Sequence, residues 1–147
     1  MATLDPREVL RVLLEADVDF VVVGGVAAIA HGSSYLTRDF DAVIPITVEN
    51  CRRILTALSP YSPRFYQAHG KPKVDRTPEE LAAFKNLYLD TALGTIDLLG
   101  SLPPVGDFAR VAESAIDRGQ RKATWPSGPR TTRVATMVNA GRAPRLH

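Results

Sequence analysis

The run Asp19-Phe20-Val21-Val22-Val23, closed at once by Gly24-Gly25, constrains the fold more than any other stretch of this chain. β-Branched and aromatic residues fit a pleated strand. The run does not alternate with polar residues, so it predicts a strand buried on both faces. Such a strand needs helices packed over its sheet, and the flanking sequence supplies them. Asp5-Pro6 is an N-cap oxygen followed by a proline at the first helical position. Val9, Leu10, Leu13 and Leu14 then recur at helical spacing, predicting an amphipathic helix that ends near Ala16. Val26–His31 reads as a short alanine-rich helix, and Gly32–Arg38 as a loop.

Asp39–Ile46 predicts a second strand, with Asp39, Asp41 and Val43 on one face and Phe40, Ala42 and Ile44 on the other. Thr47 is placed to cap a helix over Val48–Leu58. Ser59–Lys73 reads as a loop, and Thr77-Pro78-Glu79-Glu80 starts a further, short helix. Asn86–Asp90 and Thr95–Leu99 predict a hairpin turning over the four residues Thr91-Ala92-Leu93-Gly94. Asp107 caps a helix from Phe108 to about Asp117, and Thr132–Met137 is a candidate last strand. The expected fold class is α/β (α+β): a small mixed sheet flanked by helices.

A chain of 147 residues suits one domain that buries a core without disulfides. The expected organisation is a core over residues 1–118 and a basic segment over 119–147. From Arg118 onward the chain carries Arg118, Arg121, Lys122, Arg130, Arg133, Arg142 and Arg145 and no acid. That segment reads either as a polyanion contact or as a solvated terminus. The single cysteine, Cys51, falls on a helix and reads as a packing residue. There is no signal-peptide pattern, and the longest apolar run is too short to span a bilayer. The expectation is a cytoplasmic protein with no membrane partner.

Three features carry chemistry. Gly24-Gly25, between a strand and a helix, lets backbone N–H groups approach a phosphate, although such turns also serve geometry alone. In Thr37-Arg38-Asp39-Phe40-Asp41, two carboxylates two apart on a strand project to one side. They repel unless a cation sits between them, or they stand apart in solvent at a strand edge. Asp97 lies inside the apolar run Gly94–Leu99 and is either paired in the core or turned outward.

In order and spacing, these motifs resemble the nucleotidyltransferase superfamily. The similarity is closest to the bacterial branch related to abortive-infection and toxin–antitoxin nucleotidyltransferases, and it covers about residues 4–117. The resemblance implies a nucleotidyltransferase-like fold and metal-dependent transfer of an NMP from an NTP such as ATP, using Mg²⁺ or Mn²⁺. Asp39, Asp41 and Asp97 would be the catalytic, metal-binding residues. Gly24 and Gly25 would hold the phosphates, with Thr37 and Arg38 beside them; Arg38 also reads as a surface arginine, and His31 as a packed or capping histidine. The implied acceptor is an RNA such as tRNA, a protein or a small molecule, and the implied partner a cognate antitoxin. Met137-Val138-Asn139 stands where the branch carries a lysine-containing stretch. That departure keeps a second reading open, a catalytically inactive nucleotide- or partner-binding domain of the same fold.

Overall fold

A computed structural model of the chain describes residues 4–23, 39–103 and 106–111, together with the backbone of residues 123–124, 133–134 and 136–137. The first helix, α1, spans Pro6–Glu15, and the Asp5 carboxylate accepts the Arg7 N–H at 3.1 Å. Its apolar face buries Val9, Val12 and Leu13. Asp17, with a left-handed φ of 58°, then turns the chain into strand β1, Val21–Val23. Strand β2 is Asp39–Val43, shorter than the predicted run to Ile46. Its pairing does not stop at Val43, because the Ile44 N–H still donates to the Leu99 carbonyl at 2.8 Å.

Helix α2, Val48–Leu58, starts where the sequence predicts, with Thr47 Oγ1 accepting the Asn50 N–H at 3.1 Å. Helix α3, Pro78–Leu81, is a single turn closed by a reciprocal capping box between Thr77 and Glu80. Strands β4, Asn86–Thr91, and β5, Gly94–Leu99, form the predicted hairpin with a tighter turn than expected. Thr91 pairs with Gly94, so only Ala92 and Leu93 turn. Gly94 has φ +119°, and a Cβ there would come within 3.0 Å of the Leu4 backbone. Glycine is therefore required at this position.

Ser59–Lys73 differs from the predicted loop. It contains a 3₁₀ turn at Ser59–Tyr61 and a two-residue strand β3, Arg64–Phe65, which pairs antiparallel with β4. Two residues cannot show a period, and the pairing partner is remote in sequence. Further along, β6 (Ser101–Leu102) pairs with β7 (Gly106–Asp107), and β8 (Ala123–Thr124) with β9 (Arg133–Val134). Residues 108–111 are helical, with Asp107 Oδ1 accepting the Arg110 N–H at 3.2 Å. Thr136–Met137, strand β10, lies parallel to β1, so a piece of the chain after residue 118 enters the central sheet.

That sheet has six strands in the order β10-β1-β2-β5-β4-β3. It is mixed: β1 with β10 and β2 with β5 are parallel, and the other neighbours are antiparallel. The fold class is thus α/β, as the sequence predicts. Alternate residues, among them Val22, Phe40, Ala42, Leu87, Leu89, Ile96 and Leu98, pack under α1, α2 and α3 in the main core. The opposite face carries a smaller apolar cluster, Val21, Val23, Val43 and Val111, at one end only. Among the described residues, no helix is long and apolar enough to cross a membrane.

One buried polar side chain ties these layers together. Asn50 is 2% exposed. Its Oδ1 accepts the Asp19 N–H at 2.9 Å, and its Nδ2 donates to the carbonyls of Asp19 at 3.2 Å and Pro45 at 3.0 Å. It fastens α2 to the entry of β1 and the exit of β2. Asn50→Ala leaves three backbone groups without these partners. The variant is expected to lose about 2–4 kcal/mol of unfolding free energy, read from urea denaturation midpoints.

Candidate functional site

The face of the sheet opposite the helices is built in rungs. Register places Val21, Val43, Leu99 and Asn86 across one rung. The next is Val23, Asp41, Asp97 and Tyr88. A third is Asp39, Thr95, Asp90 and Arg64. The surface therefore grades from apolar, under Val111 and Phe108, to polar, and the two central aspartates stand at the boundary.

Asp41 and Asp97 are direct partners in the parallel β2–β5 pair, where neighbouring strands lie about 4.8 Å apart. Both are half-buried, and as direct partners across the strand pair the two carboxyls are close enough to interact. Burial is the main force pushing the Asp41 carboxyl up to about 7; the negative charges of Asp97 and Asp39 and the bond to Asp97 add to it. Burial also raises Asp97, while its hydrogen bonds with Tyr66 and Asp41 pull the other way. Asp39 is exposed at the start of β2 and projects from the same face, about 6.5–7 Å along the strand from Asp41.

A residue that sequence reasoning missed completes the group. The Tyr66 hydroxyl donates to Asp97 Oδ1 at 2.6 Å. Burial, followed by that bond, holds the Tyr66 hydroxyl above the usual phenol range. Its ring meets Tyr88 edge-on, with centroids 6.2 Å apart. The Tyr88 hydroxyl accepts from Asn86 Nδ2 at 3.1 Å, and Asn86 Oδ1 accepts the Gly100 N–H at 3.1 Å. Tyr66 lay in the stretch predicted as loop. The only available signal was the aromatic content of that stretch.

Of the residues predicted to bind nucleotide, Gly24, Gly25, Thr37 and Arg38 lie outside the described residues, as does His31. The three aspartates fall on one face of two adjacent strands. Among the described residues, no group of three or more His, Cys, Asp or Glu side chains is gathered as a metal cluster. Asp41 and Asp97 are nonetheless two hard oxygen donors forced together, and a divalent cation would relieve their repulsion. Mg²⁺ commonly takes one or two carboxylates and completes its shell with water and substrate phosphate, which such a pair fits. Cys51 is fully buried, and burial pushes its thiol up, as suits a packing residue.

Beside Asn86 a cleft of about 540 Å³ opens at the end of β2 and β4, lined by Ile44, Ile46, Lys85, Asn86, Asp107 and Phe108. That volume lies in the range of small-molecule sites. No protein-family model, curated protein or solved structure matches this chain.

The Asp41 carboxyl, raised from 3.8 to about 7, binds its proton more tightly in the folded chain than in the unfolded one. Its contribution to stability is thus greatest below about pH 4, falls between about pH 4 and pH 7, and is flat above that. Asp41→Asn removes the ionisation. We expect the variant to exceed the wild-type chain in unfolding free energy at pH 8 by about 2 kcal/mol, the full linkage value being halved for partial solvent exposure. The difference shrinks as pH falls to 5. Urea unfolding of both proteins at the two pH values checks this.

Proposed function

We propose that this chain is a metal-dependent nucleotidyltransferase that moves an NMP from an NTP to an acceptor hydroxyl, the acceptor oxygen bonding the α-phosphorus as the α–β phosphoanhydride breaks and pyrophosphate leaves. The observation that carries the reading is the direct pairing of Asp41 with Asp97 on adjacent strands, with Asp39 one step along the same face. The order of motifs in the sequence supports it independently: a glycine turn, an Asp-Phe-Asp strand and a later strand aspartate.

In this reading Asp41 and Asp97 would hold a divalent cation, Mg²⁺ or Mn²⁺, with Asp39 as the third carboxylate on the same face. When bound, the cation supplies charge neutralisation at the phosphates and polarises the acceptor oxygen. Asp97, already a hydrogen-bond acceptor, takes the proton from the acceptor hydroxyl. By the resemblance, Gly24 and Gly25 would offer N–H groups to the β- and γ-phosphates, and Thr37 and Arg38 would contribute to nucleotide binding. Hydrophobic cover from Val23 and Val43 on the adjoining positions limits water around the pair and strengthens its field. The acceptor class is an RNA such as tRNA, a protein or a small molecule. A cognate antitoxin is the proposed partner.

The segment Met137-Val138-Asn139, without a lysine, favours a second reading in which the fold binds a nucleotide or a partner and transfers nothing. One experiment separates the two from each other and from a site with no ligand. Each of the four NTPs is titrated into the full chain by calorimetry, with and without Mg²⁺, alongside the Asp39→Ala, Asp41→Ala double variant. Binding of at least one NTP that requires Mg²⁺, and is weakened about 100-fold in the double variant (~2.7 kcal/mol), is expected. Binding that ignores Mg²⁺ supports the second reading. A folded sample that binds no NTP contradicts the transferase and any nucleotide-binding role, and leaves only the partner-binding form of the second reading.

A further inference from the structure

Strand β3 is the edge of the sheet, two strands away from β5, and Tyr66 immediately follows it. To reach Asp97, its side chain must cross the position of β4, a span of about 9.5 Å between backbones. The backbone fixes where the crossing starts. The Tyr66 N–H donates to the Tyr88 carbonyl at 3.4 Å, and the preceding Phe65 N–H donates to the Pro72 carbonyl at 2.9 Å. Phe65 is buried and stacks on Phe84 with centroids 5.4 Å apart. On the crossing itself, the Tyr88 ring braces the Tyr66 ring edge-on. The hydroxyl at the far end commits one oxygen of Asp97 at 2.6 Å.

We propose that Tyr66 is a positioning residue for the carboxylate pair: its hydroxyl holds Asp97 in the orientation in which that aspartate and Asp41 together bind a divalent cation. The inference rests on the metal-binding reading above. A carboxylate free to rotate about its side-chain torsions must be ordered when a cation binds. One already held by a braced phenol is ordered beforehand. Partners that orient a metal ligand in this way typically alter metal affinity by about 10–100-fold when removed.

Tyr66→Phe keeps the ring, and with it the contact to Tyr88, and deletes only the hydroxyl. Tyr88→Phe is the matched control, because its hydroxyl bonds Asn86 and not Asp97. Mn²⁺ alone is titrated into the full chain and both variants at pH 8 by calorimetry, with melting temperatures measured on the same samples. The expected result is Mn²⁺ affinity about tenfold weaker in Tyr66→Phe at a melting temperature close to that of wild type, and within about twofold of wild type in Tyr88→Phe. Equal affinity in Tyr66→Phe and wild type overturns the role of Tyr66 and leaves the metal site standing. No Mn²⁺ binding by the folded wild-type chain overturns both. If Tyr66→Phe does not fold, the wild-type chain decides. A cation on Asp97 changes the charge facing the Tyr66 hydroxyl, so saturating Mg²⁺ must give a tyrosine ultraviolet difference spectrum. Saturation without that spectrum overturns the proposal.

Discussion

Strands β2 and β5 run parallel in a register that sets Asp41 against Asp97 and Phe40 against Ile96. Because side chains alternate along a strand, one register decides both faces at once. It sends Phe40, Ala42, Ile96 and Leu98 beneath the helices and turns Asp41 and Asp97 to the other side. A slip of β2 by one residue would turn Asp39 and Asp41 into the main core, where charge is prohibitive without a partner. Parallel pairing also forces a long connection, since the chain must return to the same end of the sheet. That connection contains α2, α3, β3 and β4, so the elements that cover the core and brace the site are products of the same pairing.

The carboxylate pair opposes local stability. Two acids at adjacent positions, half-buried beside valines, ionise together only at a penalty, and burial with the neighbouring charges pushes the Asp41 carboxyl up to about 7. An extended apolar core on the far face tolerates that penalty. Arrangements that push a carboxyl toward neutral pH are common where a group must bind a cation or move a proton. Tyr88 and Asn86 on β4, and Tyr66 after the edge strand β3, continue the polar character outward from the pair.

Much of this was legible in the sequence because it is local. Asp5, Thr47 and Thr77 cap the helices that follow them, and alternation in Asp39–Val43 assigns its faces, whereas the apolar run Gly94–Leu99 left the facing of Asp97 open until the β5 register settled it. The shared face of the three aspartates follows from that alternation once the two strands are neighbours. What escaped depends on contacts distant in sequence. Strand β3 has two residues and is defined by its pairing with β4, more than twenty positions away. Tyr66 finds Asp97 thirty-one positions away. Asn50, in the first turn of α2, reaches back thirty-one positions to hold Asp19. The hairpin turn tightened because Gly94 adopts a positive φ inside the strand, which composition does not reveal.

The central claim is that a divalent cation sits between Asp41 and Asp97. The most direct measurement is paramagnetic broadening: Mn²⁺ added at substoichiometric levels to the ¹³C,¹⁵N-labelled chain at pH 8, with side-chain carboxyl and backbone resonances followed together. The account predicts selective loss of the Asp41 and Asp97 carboxyl signals, then of Asp39 and the neighbouring β2 and β5 amides, while α1 and α2 stay sharp. Broadening centred elsewhere, or none at Asp41 and Asp97, would contradict it.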